Sequence, residues 1–232
     1  MMTVSLSFDD ATIPADLKAL QQWVNWKAVP NGERMDKIPV CPSTGSNAST
    51  TNPETWTDYN TAAMQAMTND GLGLGFVFVK TAGIIGIDLD HCRDADGGTL
   101  EPWAEAIVRA LESYTEVSPS GTGVHIYVRG GLPPGRRKKG SVEVYEAGRF
   151  FTMTGNHIED TPTSIEDRPD QLSDFHAQHL ADPMPTARHD STPRTQAPVC
   201  WSDQEIIGKC RAARNAAKFG SEEHTSELQS PI

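Results

Sequence analysis

No apolar run in this 232-residue chain approaches the roughly 20 residues that a membrane-crossing helix needs. The N-terminus, Met1-Met2-Thr3-Val4-Ser5, lacks the basic stretch and apolar core of a secretory signal. Cysteine is scarce, and Cys41, Cys92, Cys200 and Cys210 lie far apart with no Cys-x-x-Cys pair. That spacing argues against a zinc site and for reduced thiols in a cytoplasmic protein. Basic residues are outnumbered, 20 Lys and Arg against 31 Asp and Glu, and the net charge of −11 argues mildly against nucleic acid as a partner. The length suits one real core with a small appendage.

The charge is uneven, however. Between Arg129 and Arg149 lie six basic residues and only two acidic ones, Glu143 and Glu146. The run Pro133-Pro134-Gly135-Arg136-Arg137-Lys138-Lys139-Gly140 reads as a flexible basic loop between two strands. Such loops are usually only solvated, but this one sits between two elements of a candidate site, which favours contact with phosphates.

The most informative stretch is Gly83-Ile84-Ile85-Gly86-Ile87-Asp88-Leu89-Asp90, an apolar strand ending in two aspartates spaced i, i+2. Alternate side chains of a strand share a face, so Asp88 and Asp90 point the same way, with Cα atoms about 7 Å apart. Ile85, Ile87 and Leu89 take the buried side. Paired carboxylates on a rigid strand suit two divalent cations, which stand roughly 3.5–4 Å apart in phosphoryl-transfer sites. A calcium loop from Asp90 to Glu101 is rejected, because Cys92 and Ala95 occupy positions that need a ligand and a glycine.

Around this strand the pattern is mixed α/β. Pro14 to Gln22 predicts a short helix, Trp23–Val29 and Lys37–Val40 two strands about a Pro30-Asn31-Gly32 turn, and Trp56–Met67 a helix. Trp23, Trp26 and Trp56 read as core aromatics rather than base-stacking platforms. Gly73–Val79 and Ile84–Asp90 read as a hairpin. A helix opening at Glu101-Pro102 carries Trp103, Ile107, Ala110 and Leu111 on one side, and strands follow near Gly123–Arg129, Ser141–Tyr145 and Phe150–Thr154.

Two further elements join the aspartates. Ser118-Pro119-Ser120-Gly121-Thr122-Gly123-Val124-His125 is a small-residue loop entering a strand. Its backbone N–H groups can approach phosphate closely, and His125, with Tyr127 and Arg129, faces away from Val124, Ile126 and Val128. In Ser141–Tyr145, Val142 and Val144 face inward while Glu143 and Tyr145 face out. Glu143 is the candidate third carboxylate; Glu146 falls on the other face. Arg149 is placed to neutralise phosphate, or to pair with Glu146.

Asp-x-Asp, then Ser-x-x-Gly-x-His, then an acidic residue in an apolar strand resembles the three motifs of the archaeo-eukaryotic primase superfamily. More narrowly, the chain resembles the bifunctional primase–polymerase domain of phage and plasmid replication proteins. The likeness runs from Trp23-Val24-Asn25-Trp26 and Lys37-Ile38-Pro39, through Gly86–Cys92 and Ser118–His125, to Gly148–Gly155.

The resemblance implies an α/β (α+β) primase–polymerase fold: an N-terminal α/β unit, a sheet unit like that of RNA-recognition domains, and an active site in the cleft between. It implies two Mg²⁺ or Mn²⁺ ions on Asp88, Asp90 and Glu143. Nucleotide would bind at Ser118, Ser120, Gly121, His125 and Arg149, and nucleic acid at Arg136, Arg137, Lys138 and Lys139. The expected reaction is nucleotidyl transfer from nucleoside triphosphates on a single-stranded DNA template. Glu143 departs modestly from the Asp commonest in the third motif. A non-catalytic module that binds single-stranded DNA is the alternative. A metal-dependent glycosyltransferase built on Asp88-Leu89-Asp90 is weaker, since it leaves the Ser/Gly/His element and the basic loop unexplained.

Residues 1–180 are thus expected as the catalytic domain and 181–198, rich in Pro, Thr, Asp and Arg, as a linker. Residues 199–220 begin a helical domain, with Ser202-Asp203-Gln204-Glu205 as a capping box. The stretch Ser221–Ser230 resembles a translated sequencing adapter, so 221–232 are set aside and the chain is read as a truncated fragment. By family analogy, a helicase domain or partner is expected to follow.

Overall fold

Among the described residues two sheets carry the fold, and most of their central strands are buried on both faces. The computed structural model describes residues 5–32, 34–181 and 204. The chain divides into two compact units, Met1–Met184 and Pro185–Ile232. Apart from Ala181 and Gln204, the expected linker, C-terminal helix and tail lie outside the described residues. No described helix is long and apolar enough to cross a membrane.

The first sheet contains β1 (Trp23–Asn31), β2 (Arg34–Val40), β3 (Gly73–Val77) and β9 (Phe150–Met153) in the order β2-β1-β3-β9, every pair antiparallel. The second contains β4 (Ile84–Leu89), β5 (Thr115–Val117), β6 (Val124–Arg129), β7 (Lys138–Lys139), β8 (Val142–Tyr145) and β10 (Glu166–Asp167). Its order is β10-β6-β4-β8-β7, with β5 also on β6, and only the short β10 runs parallel to its neighbour. Both edges of β4 are therefore occupied, which places it at the middle of the sheet.

Among residues 5–181 as described, four α-helices flank the strands. They are α1 (Ala15–Lys18), α2 (Tyr59–Thr68), α3 (Pro102–Leu111) and α4 (Pro169–His179). Asp58 caps α2 by accepting from the Thr61 N–H at 3.0 Å, and Pro102 starts α3 where its missing N–H costs nothing. One core layer joins Ile85, Ile87 and Leu89 of β4, with Val124, Ile126 and Val128 of β6, to Ile107, Val108 and Leu111 of α3 and Leu172 and Phe175 of α4. The other layer is aromatic: Trp23, Phe76, Phe78 and Phe151 form a chain of edge-on contacts at 4.8–5.5 Å.

Several expectations are corrected. The β3–β4 hairpin is not formed. A single 3-10 turn at Lys80–Ala82 and Gly83, at φ +65°, carry the chain from one sheet to the other, and β3 pairs with β1 and β9 instead. The first helix is confined to α1. The buried stripe of α3 is Ala104, Ile107, Val108 and Leu111, whereas Trp103 lies on the exposed side. Trp23 and Trp26 are wholly buried, as core aromatics. Strands β5, β7 and β10 and helix α4 are not foreshadowed by the residue pattern.

Ile84, Gly86 and Asp88 share the side of β4 opposite the helices, and the first sheet rests on it. A Cβ at Gly86 would lie 2.3 Å from Phe78 and 2.6 Å from Phe151. Only glycine lets the aromatic layer close down beside Asp88.

Candidate active site

Strand register brings the candidate side chains into one line. Asp88 stands opposite His125 on β6 and opposite Glu143 on β8. His125 in turn faces Glu116 on β5, and Glu143 faces Lys138 on β7. Five neighbouring strands thus present the row Glu116–His125–Asp88–Glu143–Lys138 on the side away from α3 and α4. At its centre is a pocket of about 210 Å³ lined by Asp88, His125, Glu143 and Tyr145 of the second sheet, Lys37 of β2, Arg149, and residues 150–152.

Asp88 is the member of the row with an oxygen left unpartnered: its Oδ1 is buried without a hydrogen-bond partner and lies 3.8 Å from His125 Nε2. Burial, above all, raises its carboxyl above the ordinary range; His125 opposes this, Asp90 adds to it, Lys37 opposes and Glu143 adds. An orphaned acid facing other acids is costly for a structural role. Glu143 is satisfied: it accepts from Lys138 Nζ and, at 2.6 Å, from Tyr145 OH. Burial is the largest single influence and works against its charge, yet these bonds and the Lys138 and Arg149 charges together hold it below the usual carboxylate range. Asp90 follows β4 directly and is anchored through its N–H to Ser141 O at 2.9 Å. Among the described residues, no three His, Cys, Asp or Glu side chains are drawn together as a ready metal cluster.

His125 is 2 % exposed. Its ring stacks on Phe151, centroids 4.8 Å apart. Arg149 enters the same pocket with its guanidinium 5.1 Å from the Tyr145 ring centroid. Glu146, the alternative partner for Arg149, pairs instead with Lys80 and Arg137, each at 3.6 Å.

The Ser/Gly loop is not gathered into this pocket. Ser118 and Gly121 line a separate one of about 660 Å³ together with Asp9, Arg93 and Asn156. The hydroxyls of Ser118, Ser120 and Thr122 bond one another at 3.0 Å. The loop nevertheless abuts the end of β4, since a Cβ on Gly123 would lie 2.6 Å from Leu89 O. The basic loop borders the row at β7: Lys138 holds Glu143, Arg137 donates to Pro133 O, and Lys139 donates to Ala181 O. Arg136 lines a further pocket beside His176, whose Nε2 lies 3.0 Å from Arg136 O.

Two members of the site are not singled out by sequence reasoning. Lys37 belongs to the Lys37-Ile38-Pro39 motif without a role of its own, although a lysine beside Ile38 and Val40 in a short strand is a signal. Glu116, between Thr115 and Val117, looks like any solvated strand acid, yet it is fully buried.

Fold and site together describe an α+β protein with two antiparallel sheets and an acidic row where they meet. No protein-family model matches the chain. The chain is 41% identical over 152 residues to a DNA primase-polymerase of Nitratiruptor phage NrS-1, a match covering 62% of this chain and 20% of that protein. The likeness first read from the motifs is thus borne out. The chain spans about a fifth of the length of the curated relative it matches.

Proposed function

We propose that this chain carries the catalytic domain of a DNA primase-polymerase, a nucleotidyltransferase that starts or extends strands on single-stranded DNA in phage or plasmid replication. The observation that carries the reading is the unpartnered, buried Asp88 Oδ1 at the middle of an otherwise polar row. In this reading residues 1–180 form the domain, and the pocket between the sheets is its active-site cleft, with the second sheet as the unit like RNA-recognition domains. Residues 181–198 are a linker and 199–220 begin a further domain; a helicase domain or partner beyond is part of the proposal.

Asp88, Asp90 and Glu143 fit divalent cations, because an anionic oxygen without a donor, beside two further carboxylates, is relieved by positive charge. When bound there, Mg²⁺ or Mn²⁺ supplies acidification of an attacking 3′-hydroxyl and neutralisation of the leaving pyrophosphate. The chain's own residues do the rest by positioning and electrostatics. Lys37 and Arg149, which both line the pocket, offer positive charge to a triphosphate, and His125 presents Nε2 beside Asp88. Glu143, which accepts from Lys138 here, would help hold a cation, and Lys138 would then stand with the neighbouring Arg136, Arg137 and Lys139 to meet template phosphates. Ser118, Ser120 and Gly121 back the nucleotide site from the adjoining loop.

The test uses the whole chain with labelled nucleotides and single-stranded DNA, with and without primer, in Mg²⁺, Mn²⁺ or chelator. Metal-dependent product that disappears in the Asp88→Ala/Asp90→Ala double variant is expected. DNA binding without product would favour the non-catalytic binding module.

A further inference from the structure

Glu116 is the one fully buried carboxylate among the described residues, and four of its five polar neighbours donate to it. Its Oε2 accepts from the N–H groups of Gly155 at 2.8 Å and Thr154 at 3.2 Å, and from Tyr114 OH at 3.2 Å. Its Oε1 accepts from Tyr127 OH at 3.2 Å and faces His125 Nδ1 at 3.4 Å. An acceptor-only group suits a hub of donors, and an amide of the same size would turn an N–H toward one of them. A buried carboxylate is expensive to keep, and a hub that only joined β5 to the end of β9 would not need its fifth contact to be the edge of an active-site ring.

We propose that Glu116 is a positioning residue for nucleotide binding that acts through His125. By accepting from Nδ1–H it fixes which edge of the ring faces inward. Phe151 holds the ring's face, and Nε2 is left pointing at Asp88 and the pocket. Carboxylate–histidine pairs orient functional imidazoles in this way in metal and triad sites, where the outer partner commonly matters by about 10–100-fold. The inference rests on the nucleotidyl-transfer reading and adds to it a residue that touches neither nucleotide nor metal.

The experiment uses the full chain. Glu116→Gln is expected to raise the KM for nucleotide by about tenfold or more while kcat falls much less. In a His125→Ala background the same change is expected to do nothing further to KM, since the group it acts through is gone. Tyr114→Phe removes one of Glu116's donors without touching His125 and is expected to leave KM unchanged. A Glu116→Gln effect of equal size with and without His125, or no effect in product-forming protein, would overturn the proposal. Wild-type protein that forms no product would instead sink the nucleotidyl-transfer reading. If Glu116→Gln does not fold, nitrogen-15 spectra of wild-type His125 decide: a protonated Nδ1 is expected, and an unprotonated Nδ1 would refute the proposal.

Discussion

Asp88 and Glu143 stand directly opposite each other on the antiparallel strands β4 and β8. Like charges in that position destabilise a sheet, and Asp88 adds an unpartnered buried oxygen. Asp88→Asn is therefore expected to stabilise the protein by about 1 kcal/mol or more while cutting product formation below about 1%. Thermal melts beside primer-extension assays check both halves. A variant that is inactive and also less stable would show that Asp88 serves the fold.

Gly86→Ala pushes a methyl group into Phe78 and Phe151. The expected cost is about 1–3 kcal/mol from overpacking, seen as a lower urea midpoint with an unchanged slope. The aromatic layer has to lift, so Asp88 gains exposure and nucleotide binding weakens in the fraction that stays folded.

Lys37 contributes positive charge to a pocket that also holds Asp88, Glu143 and Arg149. Lys37→Met keeps the aliphatic stem and removes the charge. Nucleotide affinity is expected to fall by about tenfold, an ion-pair loss of roughly 1.4 kcal/mol, with template binding unchanged; titration of nucleotide and DNA separately distinguishes the two.

The basic loop is expected to act on template through counterion release. Replacing Arg136 and Lys139 with alanine should shallow the slope of log affinity against log salt on single strands, by about 0.7 for each phosphate left unneutralised. An unchanged slope would assign the loop to the protein contacts it makes here.

Asp58, the cap of α2, has its carboxyl held below the ordinary range, chiefly by the Thr61 N–H and then the Thr61 hydroxyl. A folded pKa below the unfolded one means the unfolded state binds more protons, so this stabilisation is complete above about pH 4 and is lost as pH falls through the folded value. Asp58→Ala is expected to cost about 1 kcal/mol at neutral pH, and the gap to wild type should close in melts run well below about pH 4.

The strands that hold Asp88, His125 and Glu143 were legible because period-two alternation is written locally: Ile85, Ile87 and Leu89 against Asp88, and Val142 and Val144 against Glu143. Their alignment was not, since the pairing of β4 with β6 and β8 joins segments dozens of residues apart and no window of sequence records it. The mistaken β3–β4 hairpin has the same origin: two apolar runs around a glycine-bearing turn look adjacent, and only competition from β1 and β9 for the edges of β3 separates them. In α3 the spacing was visible but the stripe was rotated by one residue, because Trp103 invites burial by its size. Glu116 was silent because its buried state depends on Tyr114, Tyr127 and Gly155 converging from three directions.

The position of β9 has a consequence for synthesis on the ribosome. Phe150–Met153 completes the sheet that β1 to β3 begin, yet it is translated after every carboxylate of the row. Until it emerges, β3 keeps a bare edge, Gly86 is covered by one ring instead of two, and His125 has nothing to stack against. A chain released early would carry all three acids on an open ribbon with no pocket to put them in. In translation order the row of carboxylates comes first, and the strand that completes their pocket comes last.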